Sequence, residues 1–116
     1  PAGDKSEQLS YEEIVEHFKE AGSEDAVPPK DKWKHAFMHR TESIDFGIMI
    51  EGELVLVMEE GERVLTPGDI VVQVGTNHSW TNRSDKNARI CFVLLDGDYD
   101  DELRAKLGTA PKPPVR

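Results

Sequence analysis

Two histidines and one aspartate are the residues of this chain whose types and spacing could bind a metal ion. His39 precedes an apolar run, Asp45 lies within that run, and His78 follows the Gly75-Thr76-Asn77 turn. Neutral imidazole is a common ligand of borderline divalent metals, and a nearby carboxylate would complete a set of two histidines and one acid. Because side chains alternate along a strand, His39 and Asp45 have the same parity and could face the same way.

The strand that carries Asp45 also supports a competing interpretation. Every second residue from Ile44 to Ile50 is apolar, and this series alternates against Asp45. If the apolar series fills the interior, Asp45 points outward and the metal-binding set fails. The other two histidines suggest less: His17 fits the solvated face of a helix, and His35 fits a loop.

The elements that must position these residues are short strands between two short helices. Ser10 and Glu13 form a capping-box pattern, and the apolar residues after them predict a helix over 11–21. An acidic stretch followed by two leucines predicts a second helix over about 100–107. Five short apolar runs bounded by turn residues predict an antiparallel sandwich or barrel. These runs are Ile44–Ile50, Glu53–Met58, Arg63–Thr66, Ile70–Val74 and Ala88–Leu95.

The chain of 116 residues is acidic, with 23 Asp and Glu against 14 Lys and Arg and a net charge of −9. No segment is basic, which argues against a surface that neutralises nucleic-acid phosphates. No apolar run approaches the ~20 residues of a membrane span and no signal-peptide pattern is present, so we expect no membrane partner and a cytoplasmic protein. Cys91 is the single cysteine, which excludes an intramolecular disulfide, and its apolar neighbours predict a buried packing residue.

The residues that follow His39 resemble the first motif of the cupin family. That motif runs His-x-His, three or four residues, Glu, six residues and Gly. Here His39 stands at the first ligand position, Thr41 at the second histidine and Asp45 at the glutamate. Gly52 follows Asp45 at the family's spacing.

The segment that ends at Asn82 resembles the second cupin motif. Gly68, Gly75, His78 and Asn82 match that motif, and Gln73 stands where the family has proline. The two motifs occur in order, and the resemblance covers residues 38–95.

The resemblance implies a mainly β fold, a small antiparallel jelly-roll barrel over 35–95 with short helices at both ends. Residues 1–34 would form a helix and a charged linker, and residues 96–116 a short helix and a Pro-rich tail. One divalent ion, whether Fe, Mn, Zn or Ni, would be bound by His39, Asp45 and His78. The polar and aromatic residues near these ligands are the candidate substrate-pocket residues: Thr41, Gln73, Trp80 and Arg40.

For function we expect a metal-dependent enzyme that acts on a small organic acid or carbonyl metabolite by lyase or isomerase chemistry, with the ion as a Lewis acid. The general acid or base is not identified. Two alternatives stay open: a small-molecule binding or sensing cupin without turnover, and an iron-dependent dioxygenase. The apolar strands, such as Leu54–Met58, also predict a homodimer that forms through one sheet face.

Overall fold

A computed structural model of the chain describes residues 8–22, 26–31, 33, 35 and 37–108. The predicted Pro-rich tail, the first seven residues and parts of the predicted linker lie outside the described residues. The elements in chain order are α1 (Tyr11–Glu20), β1 (Ser43–Glu51), β2 (Leu54–Met58), β3 (Gly61–Leu65), β4 (Ile70–Val74), β5 (His78–Thr81), β6 (Arg89–Asp96) and α2 (Asp101–Leu107).

The six strands form two antiparallel sheets of three strands each, in the orders β4-β1-β6 and β3-β2-β5. The prediction of a mainly β, antiparallel, cupin-like fold with two flanking helices is confirmed. Within the described ranges, however, the strands form two sheets rather than one closed ring. Strand β5 was not among the predicted runs, because its four residues, His-Ser-Trp-Thr, contain no apolar alternation.

Strand β1 has its polar positions inside and its aliphatic positions outside. Ile44 and Ile50 are 40% and 50% exposed, whereas Asp45 is 9% and Met49 1% exposed. The competing interpretation, in which the apolar series fills the interior, is therefore wrong. The face of β1 that carries Asp45 and Met49 packs against the second sheet, so the isoleucine face points away from that sheet and is exposed to solvent in the single chain.

The prediction that Cys91 is buried is also wrong, because Cys91 is exposed. In the β1–β6 register Cys91 pairs with Ile48. Directly paired residues lie on the same side of a sheet, so Cys91 belongs to the outward face. An apolar run alone does not reveal which of its residues face inward.

In the described part of the chain, the sheets carry two small core clusters, one between the sheets and one on the far side of β2. Alternation along β2 explains the division, since neighbouring positions of a strand face opposite ways. The first cluster closes one end of the space between the sheets and contains Met49, Leu56 and Leu65, and the second contains Met38, Val55 and Val57 with Trp33 against it.

Both helices begin with side-chain caps. In α1 the Ser10 side chain accepts from the backbone N–H of Glu13, and the Glu13 carboxylate accepts from the Ser10 N–H, as the capping box predicts. In α2 the cap is Asp100, whose Oδ1 accepts from the Leu103 N–H at 2.8 Å. Among the described residues, no helix is long and apolar enough to cross a membrane.

Candidate functional site

The main cavity lies between the two sheets and has a volume of about 650 Å³. Three of its polar residues are nearly inaccessible to solvent: Asp45 is 9%, Gln73 5% and His78 4% exposed. Burying polar groups is costly unless they are hydrogen-bonded, so such a group of residues marks a candidate site. The described lining residues are His39, Asp45, Gly47, Gln73, His78, Trp80, Phe92 and Leu94.

His39 and His78 meet through both backbone and side chains. Each backbone N–H donates to the other residue's carbonyl oxygen at 2.9 Å, which forms an isolated antiparallel bridge. Their ring centroids are 4.6 Å apart. The bridge thus brings together two histidines that are 39 positions apart in the chain.

The two imidazoles are oriented by the same kind of hydrogen bond. The Nδ1 of His39 lies 2.7 Å from the carbonyl oxygen of Phe37, and the Nδ1 of His78 lies 2.7 Å from that of Thr76. Because a carbonyl oxygen only accepts, both Nδ1 atoms carry the proton. In both rings Nε2 is then the atom with a free lone pair.

Phe37 supplies its carbonyl from an unusual backbone conformation. Its φ is +56°, and it is the one residue other than glycine with a positive φ in the described part of the chain. A bulky side chain rarely adopts this left-handed conformation, which costs about 1–2 kcal/mol relative to the right-handed one. The strained residue adjoins a candidate ligand, as strained residues at functional sites often do.

Burial lowers the pKa of His78 from its usual 6.5 to about 4. Loss of hydration is the main cause, and the nearby His39 adds to it, whereas the Thr76 hydrogen bond and the Asp45 carboxylate act in the opposite direction. His78 is therefore neutral at pH 7. A metal ligand needs this protonation state, while a pKa this low makes the imidazole a weak general base.

Asp45 and Gln73 are neighbours across strands β1 and β4, and each is held by a hydroxyl group. The Ser43 hydroxyl donates to Oδ1 of Asp45 at 2.6 Å. The Thr76 hydroxyl donates to Oε1 of Gln73, which leaves the Gln73 amide NH₂ as a hydrogen-bond donor. The polar end of the cavity thus combines one carboxylate, one amide and two imidazoles.

The donor types fit a divalent metal, but their arrangement does not converge. Nδ1–H bonds to backbone carbonyls are the usual way in which a metal-binding histidine is oriented. Yet among the described residues no group of three or more His, Cys, Asp and Glu side chains is placed to hold a metal ion. The structure therefore brings the two imidazoles together in one cavity with Asp45, and the three-ligand set stays a prediction.

Of the four candidate pocket residues, two line this cavity. Gln73 and Trp80 do, whereas Thr41 and Arg40 are not among its lining residues. The Thr41 hydroxyl instead pairs with the Ser43 hydroxyl at 2.7 Å, so it supports the residue that orients Asp45. The Arg40 guanidinium donates to the carbonyl oxygen of Leu107, the last residue of α2.

Sequence reasoning missed Gly47 and Leu94 as lining residues. Both follow from the register, in which Leu94 pairs with Asp45 and Gly47 pairs with Phe92. Alternation along β1 alone places Gly47 on the same face as Asp45. Leu94 lies on another strand, so its place in the cavity follows only from the pairing of β1 with β6.

A buried network outside the cavity fixes the turn that leads to His78. Glu42 is 3% exposed, and its carboxylate makes two hydrogen bonds with Arg104 of α2, at 2.8 and 3.1 Å. The Tyr99 hydroxyl donates to the Gly75 carbonyl oxygen at 3.0 Å, and its ring fills the space that a Cβ at position 75 would need. The segment around α2 thereby holds the Gly75–Thr76 turn in place.

Comparison with known families identifies one match over most of the chain. The model of the Cupin domain family matches residues 24–94. The match begins inside the region that the sequence predicts to be a linker. Residues of that region are part of the packed structure, since the Arg40 N–H donates to the carbonyl oxygen of buried Ala26 at 3.2 Å.

Similar proteins occur in filamentous fungi. The chain is 52% identical over 63 residues to phomopsin biosynthesis cluster protein C′ of Diaporthe leptostromiformis, which is 53% of this chain and 33% of that protein. It is 52% identical over 60 residues to oryzines biosynthesis cluster protein J of Aspergillus oryzae, 50% of this chain and 34% of the relative. Cupin-domain-containing oxidoreductase fogC of Aspergillus ruber is 44% identical over 63 residues, 51% of this chain and 31% of the relative. The matched part is about one third of the length of these relatives.

Proposed function

The chain belongs to the Cupin domain family, and from that premise we propose that its cavity is the active site of a metal-dependent enzyme. The proposed substrate is a small organic acid or carbonyl metabolite. The proposed reaction is a non-redox decarboxylation, dehydration, isomerisation or cyclisation. The observation that carries the proposal is the pair of imidazoles beside Asp45, each with Nδ1 bonded to a backbone carbonyl.

The proposed cofactor is one divalent ion held by His39, Asp45 and His78. When bound, such an ion acts as a Lewis acid toward a carbonyl or carboxylate oxygen. The hydrogen bonds to Phe37 and Thr76 support this assignment, because they keep both imidazoles in the tautomer whose Nε2 can bind metal.

The remaining lining residues would bind and enclose the substrate. The Gln73 amide NH₂ can donate a hydrogen bond to a substrate oxygen, because the Thr76 hydroxyl already occupies the amide oxygen. Trp80 and Phe92 form an apolar wall. Removing water from this space strengthens every electrostatic interaction with charge that develops on the substrate.

The second candidate function is an oxygen-dependent oxidation at iron. It is favoured by the names of the Aspergillus ruber relative and of a Hypocrea virens relative, both of which are called cupin-domain-containing oxidoreductases. Two imidazoles and one carboxylate are also the ligand types of non-haem iron oxygenases. Both candidate functions use the same residues and differ in their need for oxygen.

One experiment separates these functions from a binding role. The chain is incubated with a library of carbonyl compounds and organic acids, in air and without oxygen, and products are detected by mass spectrometry. Turnover without oxygen supports the non-redox reaction, turnover only in air supports the oxidation, and binding without any turnover contradicts both. In either enzymatic case His78→Ala abolishes turnover, whereas the control His17→Ala, an exposed imidazole on α1, retains it.

We further propose that the outward face of the β4-β1-β6 sheet pairs with a second copy of the chain. Each chain has a net charge of −9, so two copies repel least where their contact surface carries few charges. The described outward positions of this sheet are apolar except at one end, where Glu51 and Arg89 form an ion pair at 3.8 Å. The apolar positions are Ile44, Phe46 and Ile48 on β1, Ile70, Val72 and Val74 on β4, and Cys91, Val93 and Leu95 on β6.

A further inference from the structure

The cavity contains an aromatic layer directly below its polar end. The rings of Trp80 and Phe92 lie with centroids 5.2 Å apart and planes at 64°, an edge-to-face arrangement. Phe92 pairs with Gly47 across β1 and β6. The two rings come from different sheets and contact each other, so they form one continuous aromatic wall of the cavity.

Gly47 makes room for this layer. A Cβ at position 47 would lie 3.3 Å from Cη2 of Trp80, 3.4 Å from Cε1 of Phe92 and 3.3 Å from Cδ1 of Ile90. Its φ lies outside the left-handed region, so the backbone itself does not require a glycine. The reason for the missing side chain is therefore the close approach of the aromatic rings.

The depth of the cavity corresponds to two layers of side chains. Asp45 and Gln73 belong to the upper layer and Gly47 and Phe92 to the layer below, and buried Met49 is the next inward position of β1. Successive inward positions of a strand are about 7 Å apart. That is the length of one six-membered ring with a polar substituent.

The polar layer favours an uncharged oxygen. No lysine or arginine is among the described lining residues, and Asp45 is a carboxylate. Within the protein's own side chains, a ligand carboxylate would meet one like charge and no ion-pairing partner. A carbonyl oxygen, in contrast, can accept from the Gln73 amide without any counter-charge.

We infer that the cavity binds a flat, unsaturated ring that carries a carbonyl group. The ring lies against Trp80 and Phe92, and the carbonyl oxygen lies at Gln73. The inference rests on the proposed function in treating this cavity as the active site, and it narrows the substrate class to aromatic or similarly conjugated carbonyl compounds. Phe92 and Leu94 are 43% and 45% exposed, so the cavity opens to solvent beside β6 and a ring can enter there.

Two ketones of matched size test the shape requirement. Acetophenone and cyclohexyl methyl ketone carry the same carbonyl group, and the saturated ketone is at least as hydrophobic, so hydrophobicity alone does not favour the aromatic one. Stacking against two rings predicts that acetophenone binds about tenfold tighter. Binding is measured by NMR titration of the purified chain, with the amide resonance of Gly47 and the indole resonance of Trp80 as reporters.

Variants assign the preference to the aromatic layer. Phe92→Leu and Trp80→Leu each reduce the preference for acetophenone to about twofold or less. The matched control Phe46→Leu, on the outward side of the neighbouring strand, keeps the full preference. Benzoate tests the charge requirement in the chain freed of divalent ions, where it binds at least tenfold more weakly than acetophenone.

Equal affinity for the two ketones overturns the inference, as does the absence of binding by either ketone up to its solubility limit. An unchanged preference in both Phe92→Leu and Trp80→Leu also overturns it. The proposed function fails separately. Selective binding of acetophenone without turnover of any library compound supports the ring-binding inference and contradicts the proposed enzymatic function. Turnover of saturated compounds, with no preference for aromatic rings, supports the enzymatic function and contradicts the ring-binding inference.

Discussion

The two faces of the β4-β1-β6 sheet both carry apolar residues, but buried polar residues lie on the inward face. Its inward face carries Asp45 and Gln73, which are 9% and 5% exposed. Its outward face carries Val72 and Val74, which are 55% and 53% exposed. Antiparallel sheets usually place apolar residues inward and polar residues outward. Here burial of polar groups marks the candidate site, and exposure of apolar groups marks a candidate interface.

Each face carries an unfavourable feature for stability, buried polar groups on one side and exposed apolar groups on the other, and a functional role would explain both. Buried polar groups need partners, and the hydroxyls of Ser43 and Thr76 supply them to Asp45 and Gln73. Burial of aliphatic side chains stabilises a protein by about 25 cal/mol for each Å² removed from water, and side chains that stay exposed do not contribute this free energy. A contiguous apolar surface on a monomer is a sign of an interaction site.

The largest effect that we expect concerns the outward face. Val72→Glu places a carboxylate in the proposed interface of both copies, and burying unpaired charge costs several kcal/mol, so the dimer's dissociation constant rises by at least about a hundredfold. The matched control Val64→Glu changes a valine that is 58% exposed on β3, and this variant remains a dimer. Light scattering gives twice the chain mass of 13.0 kDa for the wild type and the single mass for Val72→Glu.

A wild-type mass of 13.0 kDa at micromolar concentration contradicts the proposed dimer. The outward face would then be free to bind something else. Because the matched part is about one third of the length of the relatives, a further segment of a longer chain would be the next occupant to test.

The sequence predicted which histidines share a cavity better than it predicted which way the residues of β1 and β6 face. The motif positions of His39 and His78 identified residues that share one cavity. The orientation of Asp45 stayed open because both faces of β1 carry apolar residues, and Cys91 was assigned to the wrong side for the same reason. The role of Gly47 depends on rings that arrive from two other strands, so no local pattern contains it.

The second effect concerns the inward face and its response to pH. The pKa of His78 is about 4 in the folded chain and near 6.5 when unfolded, so only the unfolded state takes up a proton between these values. Stability from this source is present above about pH 6.5 and is lost as the pH falls toward 4, by about 3 kcal/mol. Urea unfolding measured at a series of pH values follows this loss.

His78→Gln removes the titrating group and flattens the pH dependence by that amount. The matched control His17→Gln changes an imidazole on α1, outside the cavity. The same pH dependence in wild type and His78→Gln would show that His78 is not buried in its neutral form.

The smallest effect compares the same small addition on the two faces. Gly47→Ala adds a methyl group within 3.3–3.4 Å of three side chains on the inward face, and overpacking of this kind costs about 1–3 kcal/mol. Both changes are made in the monomeric Val72→Glu variant, where Val93→Ile adds one carbon at a position that is 43% exposed in the single chain and changes the free energy of unfolding by less than about 0.5 kcal/mol. Urea unfolding of both variants checks the difference, and equal costs would contradict the packing of Trp80 and Phe92 around Gly47.

The central proposal is that the polar end of the cavity binds a divalent metal ion through His39, Asp45 and His78. Calorimetric titration with zinc tests it most directly, because zinc readily binds imidazole and carboxylate ligands and the measurement needs no substrate. The account predicts one zinc ion per chain in the wild type and in His17→Ala, and a loss of affinity of at least about a hundredfold in His78→Ala. Zinc binding that is as tight in His78→Ala as in the wild type would contradict the account.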